Sequence, residues 1–384
     1  MFPFVLAGKI LGRIYPLDEE FDVFFFFPGY AIGGAERVNS EIIKTVEDKR
    51  VIIFFTKKSP NEGMKHFFER PNVVCREISR WTDNKWQYWN SFIHRGICSH
   101  YINRQKKAPA VFIGQCNFGY KLLPHLKREI RVSELIHMYD PKFTWVWAPF
   151  IRFIDTRVIV GEIFRQKFAD CYRRVGIPEK YLHRLKIIFY RLEYVPEQFH
   201  ERNFELPLKV YYAGRGGPQK RVWIIVDIIR KCRALHLPVE FKLAGPLRDE
   251  LPEDLLSDGT YVGELQGGQD MYRFHRSNDI LLMTSAWEGF PLVIMEAMAF
   301  GAIPLVSNID AIPEHIRHGE SGFLLQATEN EELLAIEAVE NLKSIIGSRL
   351  ELRRMSDAAF QYANTHFGAV GFRTKYREIL GFLQ

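Results

Sequence analysis

Residues 279–308 read DILLMTSAWEGFPLVIMEAMAFGAIPLVSN. The two ends of this stretch, 279–285 and 302–308, are short apolar runs typical of buried strands. The segment between them, 291–301, is apolar almost throughout and predicts a buried helix. A strand, a helix and a second strand in this order form a crossover unit that joins parallel strands. The stretch therefore predicts an α/β fold built on a parallel sheet.

The same alternation of strands and helices covers most of the chain. Further strands are predicted at 22–28, 50–56, 110–114, 131–137, 156–161, 208–214, 239–245 and 258–265, and further helices at 34–48, 221–236 and 268–277. Strands this apolar are buried on both faces, as in a parallel sheet covered by helices. Because 384 residues exceed the usual size of a single core, we expect two doubly wound, Rossmann-like domains that face each other across a cleft.

The predicted boundary between the domains is placed in a polar segment with two prolines, 194–207. The first domain then comprises residues 1–198 and the second comprises residues 199–367. The chain from Asn330 onward has a helical pattern, and we expect its last helix, within 368–384, to pack back on the first domain.

Composition narrows the class of protein. The five cysteines are scattered and form no C-x-x-C pair, so neither a disulfide framework nor a thiolate metal site is indicated. No apolar run approaches the roughly 20 residues needed to cross a bilayer. The first 15 residues contain Lys9 and Arg13 and lack a basic start, which is atypical of a signal peptide. We expect a cytoplasmic protein.

Positive charge is concentrated in residues 121–191, which hold 15 Lys and Arg against 7 Asp and Glu. Within them, PKFTWVWAPFIRF (141–153) alternates aromatic and basic side chains. One interpretation is a face that contacts an anionic membrane or a polyanionic substrate. The equally weighted alternative is a solvated surface beside buried aromatic residues. Nucleic acid is disfavoured as a partner because no zinc spacing or nucleic-acid motif accompanies the charge.

Two glycine-marked turns follow predicted strands. PGYAIGGAER (28–37) places Gly33 and Gly34 before a helix, where backbone amides can approach a phosphate. Such glycines are common, so this turn alone indicates little. YAGRGGPQKR (212–221) places Arg215 and Lys220 before another helix, although the helix dipole disfavours cations there. That mismatch favours a clamp for a diphosphate over a solvated basic loop.

Two glutamates accompany the apolar helix of the opening stretch. Glu296 lies inside it and needs a partner, because burying an unpaired carboxylate is costly. The vicinal hydroxyls of a ribose would be suitable. Glu288 precedes the helix, and the free amides from Phe290 to Val293 could receive a phosphate. Pairing of each glutamate with a nearby basic side chain is the alternative.

The stretch EGFPLVIMEAMAFG (288–301) resembles the E-x7-E signature of the retaining nucleotide-sugar glycosyltransferases of family 4, which have the GT-B fold. GGAER at the first turn, GR with Lys220 at the second, FKLAGP, YVGEL and IPLVSNIDAIPEHIRHGESGFLL follow in the order of that family. The resemblance covers most of the chain and is strongest over 208–326.

This resemblance implies roles for residues of the second domain. Arg215 and Lys220 would hold the donor diphosphate, Glu296 the ribose, and Glu288 the transferred sugar. The resemblance also implies that the amides of Leu292 and Val293 contact the phosphates. The backbone from Gly263 to Leu265 would contact the base.

In the first domain, the resemblance implies that Gly34 lets its loop approach donor and acceptor. His137, which ends the run RVSELIH, would be an active-site histidine near the sugar. A single histidine at the end of a strand is otherwise more often structural.

The resemblance implies transfer of a hexose-type sugar, from UDP in preference to GDP, to a glycan or lipid-linked saccharide in surface polysaccharide synthesis. No D-x-D sequence occurs, so no metal and no other cofactor is expected, and Arg215 and Lys220 would replace the metal. Alternatives are a GT-B sugar-nucleotide epimerase and a catalytically silent nucleotide-sugar-binding subunit. A nicotinamide dehydrogenase is disfavoured because the dinucleotide fingerprint is missing.

Overall fold

The chain divides into two units, the first comprising Met1–Arg191 and Val370–Gln384 and the second comprising Leu192–Ala369. The predicted boundaries were 198/199 and 367/368. The computed structural model describes residues 2–31, 33–84, 86–199, 201–265, 268–368 and 371–383. Each unit contains one parallel sheet with helices, and each is described by itself.

The strands of the first unit are β1 Val23–Phe27, β2 Val51–Phe55, β3 Val73–Glu77, β4 Ala110–Gly114, β5 Arg131–Leu135, β6 Thr156–Ile159 and β7 Leu185–Ile187. Its α-helices, numbered by position in the chain, are α1 Phe2–Ile14, α2 Gly34–Lys44, α3 Ser79–Thr82, α4 Tyr88–Asn103, α5 Asn117–Leu122, α6 Thr144–Trp147, α7 Glu162–Val175 and α14 Phe372–Ile379. Among the described residues the strands form one sheet in the order β3-β2-β1-β4-β5-β6-β7, and every pairing is parallel.

The second unit repeats this plan. Its strands are β8 Leu208–Ala213, β9 Val239–Ala244, β10 Tyr261–Gly263, β11 Ile280–Met283, β12 Ile303–Ser307 and β13 Phe323–Leu325. Its α-helices are α8 Val222–Ala234, α9 Glu253–Ser257, α10 Gln269–Ser277, α11 Leu292–Ala299, α12 Glu331–Ile345 and α13 Arg349–His366. The described strands pair in the order β10-β9-β8-β11-β12-β13, again in parallel. The predicted pair of Rossmann-like α/β units is therefore confirmed.

Burial explains which strands the sequence predicts. All five residues of β1, β2 and β4 are buried, so these strands are continuous apolar runs, as expected for the centre of a parallel sheet. The unpredicted strand β3 is VVCRE and three of its five residues are exposed, because it lies at the edge of the sheet. The other two strands that were not predicted, β7 and β13, are three residues long and also lie at sheet edges.

The last helix, α14, packs against the first sheet. Tyr376 is fully buried and its ring lies 6.2 Å from that of Phe112 on β4. Ser133 on β5 donates to the carbonyl of Ile379 over 3.0 Å, and Arg377 pairs with Asp48. The helix begins at Phe372 rather than near residue 368, and residues 369 and 370 lie outside the described chain.

The basic and aromatic segment 141–153 lies partly in the core and partly at the surface. Val146, Trp147 and Ile151 are buried. The Trp147 ring lies 4.0 Å from the guanidinium of Arg157, which forms a buried ion pair with Glu134. Among its large apolar side chains only Trp145 is fully exposed, at 71%. Of its five aromatic side chains only Trp147 is buried, so core packing accounts for only part of this segment's pattern. Within the described chain, no helix is both long and apolar enough to cross a bilayer.

The sequence did not predict helix α1, and glycines determine how it packs. A Cβ on Gly96 of α4 would lie 2.1 Å from the carbonyl oxygen of Val5, and a Cβ on Gly8 would lie 1.9 Å from that of Ile93. Because these contacts are to backbone, neither helix can accommodate a side chain there without moving. The two glycines therefore allow α1 to lie directly on α4.

We predict that Gly96→Ala displaces α1 from α4, because the added methyl group overlaps the α1 backbone. Overpacking of this kind costs about 1–3 kcal/mol. Hydrogen exchange of the α1 amides should accelerate while that of β1 stays unchanged. The matched control is Gly368→Ala, where a Cβ would approach no atom closer than 3.6 Å. Unchanged exchange in α1 of the Gly96 variant would contradict this packing.

Candidate functional site

The second sheet has a topological switch point between β8 and β11. From β8 the chain adds β9 and β10 on one side, then returns to place β11 on the other side. In open parallel sheets, ligands bind beyond the carboxyl ends of the strands at such a point. The loops that leave β8 and β11 there are residues 214–221 and 284–291. Both turns selected from the sequence in this unit thus lie at the position where a ligand is expected.

Hydrogen bonds formed by Gln219 and Arg221 hold these two loops together. The amide of Ala286 donates to the carbonyl of Gln219 over 2.8 Å. The buried guanidinium of Arg221 donates to the carbonyls of Thr284 and Ser285, over 2.7 and 3.0 Å. Arg221 itself has a positive φ of 50° at the N-cap of α8. One arginine thus fixes the end of β11 against the start of α8.

Lys220 and Glu288 form an ion pair across the two loops. Glu288 is only 5% exposed, so its carboxylate depends on polar partners inside the protein. Its backbone amide donates to Asp310, which follows β12, over 2.7 Å. The ammonium of Lys220 carries three donors, so pairing with one carboxylate oxygen leaves capacity for an anionic ligand.

Gln219 connects Arg215 to the same cluster. Its side-chain oxygen accepts from the Arg215 guanidinium over 2.8 Å, and its nitrogen donates to the carbonyl of Trp287 over 3.0 Å. The same nitrogen lies 3.4 Å from a carboxylate oxygen of Glu288. Arg215 is exposed, whereas Glu288 is buried. Three of the predicted residues, Arg215, Lys220 and Glu288, therefore share one network that extends from the surface inward.

Helix α11 begins one residue later than the sequence suggested. Pro291 is the N-cap and its carbonyl accepts from Ile294 over 3.1 Å, so Leu292 is the first helical residue. The amides of Leu292 and Val293 precede the first intrahelical hydrogen bonds, as in the first turn of any helix. They lie beside Glu288 in sequence and have the partial positive charge of a helix N-terminus. The predicted burial of this helix is confirmed, since only Val293 is not fully buried.

Glu296 is 3% exposed and faces His275 of α10, with 3.5 Å between a carboxylate oxygen and Nε2. Nδ1 of His275 lies 2.7 Å from the hydroxyl of Tyr211 on β8. His275 is fully buried, and its ring stacks on that of Phe300. Tyr211 and His275 thus form a rigid support behind Glu296, which is a partner that the sequence did not suggest.

The remaining donor-side residues are placed as follows. Gly263 ends β10 with a φ of 84°, and its carbonyl accepts from the amide of Gly245, which follows β9. Leu265 is partly exposed two residues later. Phe290 is buried and stacks on His315 with ring centroids 4.1 Å apart. Phe290 therefore packs in the interior, and its side chain anchors the loop before α11.

In the first unit, Gly33 and Gly34 begin α2 at the carboxyl end of β1. Gly33 is the N-cap with extended backbone, and Gly34 is the exposed first residue of the helix. A Cβ on Gly33 would lie 2.5 Å from a carboxylate oxygen of Glu36. The turn thus has the backbone geometry that the sequence suggested, with an acidic side chain beside it.

His137 follows β5 in the first unit and is half-buried, with its Nε2 atom out of contact with solvent. Its Nδ1 lies 2.9 Å from the hydroxyl of Tyr190, and its amide donates to Gln115 over 3.3 Å. Burial lowers the pKa of His137 to about 4. The imidazole is therefore neutral at pH 7 and can donate or accept a hydrogen bond without carrying charge.

The structure thus brings four predicted residues, Arg215, Lys220, Glu288 and Leu292, to the loops after β8 and β11. Sequence reasoning missed Gln219, Arg221 and His275. The first two lie within the glycine turn 212–221 and could have been identified because polar residues beside a basic pair usually orient it. His275 gave no signal, because a single histidine on an amphipathic helix is ordinarily unremarkable.

We predict that Lys220→Met destabilises the second unit by about 3 kcal/mol, because Glu288 is left buried without its cation. The double variant Lys220→Met, Glu288→Gln should recover at least half of this loss, since the buried negative charge of Glu288 is removed as well. Urea unfolding measures both. The control is Lys231→Met, whose exposed pair with Asp227 is worth at most about 1 kcal/mol. Equal destabilisation by the two single variants would contradict the account.

A second prediction concerns His137 and pH. The unfolded chain binds a proton at this histidine near pH 6.5, whereas the folded chain does so near pH 4. The stability due to the neutral imidazole is present above pH 6.5 and is lost as pH falls toward 4. Between pH 7 and 5, the wild type should therefore lose about 2 kcal/mol that His137→Gln does not lose.

Urea unfolding at the two pH values measures this difference. Tyr190→Phe is the control, because it removes the hydrogen bond to Nδ1 and leaves the histidine in place. It should retain the pH dependence of the wild type. Identical pH dependence in His137→Gln and the wild type would show that His137 is not the group responsible.

Comparisons with known proteins give a partial match to a family model and a shared fold. Residues 196–361 match the family model described as Glycosyl transferases group 1, which is under half of the chain. Trehalose synthase of Pyrococcus horikoshii is 24% identical over 318 residues, covering 73% of this chain and 72% of the relative.

Two solved structures are similar over nearly the whole chain. Anabaena Alr3699/HepE in complex with UDP-glucose has a TM-score of 0.70 at 16% identity and covers 94% of this chain and 100% of its own. The lipopolysaccharide outer core galactosyltransferase WaaB, in its apo form, has a TM-score of 0.68 at 17% identity over 94% and 99%. At such identities the likeness shows the fold, that of the GT-B glycosyltransferases. Residues 196–361, which include the Lys220–Glu288 pair and helix α11, are thus the part of the chain that matches the model of the glycosyl transferases group 1 family.

Proposed function

We propose that this chain is a retaining glycosyltransferase of family 4 that transfers a hexose-type sugar from a UDP-sugar to a glycan or a lipid-linked saccharide. The single observation that carries the proposal is the network of Arg215, Lys220 and Glu288 at the switch point of the second sheet. It combines two cations for a diphosphate with a buried carboxylate beside them. The similar HepE structure holds UDP-glucose, which supports a nucleotide sugar as donor.

The cations would act on the departing nucleotide diphosphate. Negative charge grows on its β-phosphate as the glycosidic bond breaks, and fixed donors that face this charge lower the barrier. Arg215 offers a planar fork and Lys220 a compact charge. The amides of Leu292 and Val293 add helix N-terminal donors. We propose that these groups serve in place of a metal ion.

Glu288 would have two roles, one before and one after the donor binds. It holds the Lys220 ammonium at the switch point before the donor arrives, which reduces the ordering cost of binding. When the donor is bound, the carboxylate would accept hydrogen bonds from hydroxyls of the transferred sugar. Glu296, supported by His275 and Tyr211, would receive the ribose hydroxyls.

The first unit would supply groups that contact the sugar and the acceptor. His137 is neutral at pH 7, so it would act there as a hydrogen-bond partner for a sugar hydroxyl. Gly33 and Gly34 would admit substrate close to the backbone at the start of α2. We further propose a role in surface polysaccharide synthesis at the cytoplasmic face of a membrane.

We predict that Arg215→Ala and Lys220→Ala each weaken UDP binding about tenfold to a hundredfold, because each removes a charge-assisted hydrogen bond. Uridine, which lacks the diphosphate, should bind all three proteins equally. Titration calorimetry measures the affinities, and Lys242→Ala, on the exposed surface of β9, is the control. Unchanged UDP affinity in both cation variants would contradict the clamp.

Transfer is tested separately from binding. Glu288→Gln should lower the rate of sugar transfer or donor hydrolysis by more than tenfold while UDP affinity changes less, because the part of the donor proposed to contact this residue is the sugar, which UDP lacks. Addition of EDTA should leave the rate unchanged, and NMR of the product should show the anomeric configuration of the donor. A rate restored only by Mg²⁺ or Mn²⁺, or an inverted product, would refute those parts of the proposal.

A further inference from the structure

Helix α1 presents an apolar face to solvent. The side opposite its contact with α4 carries Leu6, Ile10 and Ile14, with Phe2 and Phe4 at its N-terminal end. All five are exposed, from 42% for Phe4 to 78% for Phe2. Contiguous exposed apolar surface of this kind marks a binding site for a protein or a membrane. A helix that is apolar on both faces is ordinarily covered on both.

Aromatic side chains extend this face at one end. α1 and α4 run in parallel, since Phe4 stacks on Phe92 and Gly12 approaches His100. The N-terminal end of α4 therefore lies beside Phe4, and it carries the exposed rings of Tyr88 and Trp89. Trp86, just before α4, is 92% exposed. Exposed tryptophan and tyrosine beside aliphatic residues are typical of the interface between lipid and water.

Cations extend the face at the other end. A surface cavity of about 380 Å³ lies there, and its lining consists of Lys9, His100, Asn103, Arg104, Gln105 and Lys127. Within the described chain, neither Lys9 nor Arg104 forms an ion pair, whereas Lys127 lies 3.6 Å from Glu129. Arg13 is a further exposed cation on α1.

The electrostatics of His100 show that these cations act together. The pKa of His100 is lowered, first by burial and then by the charges of Arg104, Arg13 and Lys9. Two of the acids that follow α1 have partners outside the cluster, since Glu19 pairs with Arg50 and Glu20 accepts from the amide of Lys106.

We propose that the outer face of α1 is the surface by which this chain binds an anionic phospholipid bilayer. The apolar side chains would enter the interface and the cations would contact lipid phosphates, the arrangement found in interfacial helices. A second copy of the chain would instead bring the same unpaired cations toward each other, which is unfavourable. The inference builds on the membrane contact within the proposed function, but not on the transfer reaction, and it places that contact on α1 rather than on residues 141–153.

The test is sedimentation of the purified chain with vesicles of phosphatidylcholine, with or without phosphatidylglycerol. The wild type should pellet with the anionic vesicles only, and less so as salt is raised. The triple variant Leu6→Gln, Ile10→Gln, Ile14→Gln should stay in the supernatant. Lys9→Gln with Arg104→Gln should lower the partition coefficient about 25-fold, since each cation near an anionic surface contributes about fivefold.

Two matched variants distinguish this face from other exposed apolar residues. Leu350→Gln, at a residue that is 83% exposed in the second unit, and Trp145→Gln should bind vesicles as the wild type does. A wild type that does not pellet, or a triple variant that pellets normally, would overturn the proposal. So would a wild-type dimer that the triple variant converts to monomer without any lipid binding.

UDP affinity of the same proteins separates the two proposals. The α1 variants should bind UDP like the wild type, since α1 contributes no residue to the network of Arg215 and Lys220. Vesicle binding without UDP binding would refute the proposed function alone. UDP binding without vesicle binding would refute the role of α1 alone.

Discussion

The buried carboxylate of Glu288 constrains the candidate site of the second unit. A glutamate that is 5% exposed requires a cation, and Lys220 supplies it from the neighbouring loop. The pair is possible only because Arg221 and Gln219 hold the two loops at hydrogen-bonding distance. The positions of Arg215, of the α11 N-terminus and of Glu296 follow from that junction. A cationic site at the carboxyl end of a parallel sheet is thus built from one ion pair and one buried guanidinium.

The fold could be predicted from the sequence because every residue of its central strands is buried. VFFFF of β1 and VIIFF of β2 are buried throughout, and such runs, alternating with helices, are typical of interior parallel strands. Strand β3 has no such signal, since VVCRE lies at a sheet edge, where its first two residues are half-buried and its last three are exposed. Helix α1 was missed for a related reason. Its apolar residues are interrupted only by Lys9 and Arg13 and do not mark one face, and the structure shows glycine packing on one face and exposure on the other.

The site could be predicted less fully than the fold. Cations before a helix and glutamates in an apolar segment are unfavourable in their local sequence. For this reason the sequence indicated Arg215, Lys220, Glu288 and Glu296 as candidate site residues. Their partners depend on tertiary contacts. His275 reaches Glu296 from a different helix, and Arg221 acts through backbone carbonyls that any sequence would provide. The basic and aromatic segment 141–153 is divided between the two interpretations, because Trp147 packs on the buried guanidinium of Arg157 whereas Trp145 is exposed.

The most direct test of the account is a crystal structure of the chain with UDP. We expect the diphosphate to lie at the switch point of the second sheet, near the first amides of α11. One of its oxygens should lie within about 3 Å of the Lys220 ammonium or the Arg215 guanidinium. Glu296 should then contact the ribose. A diphosphate bound away from the loops after β8 and β11, remote from Lys220 and Arg215, would show that these two cations do not bind the donor.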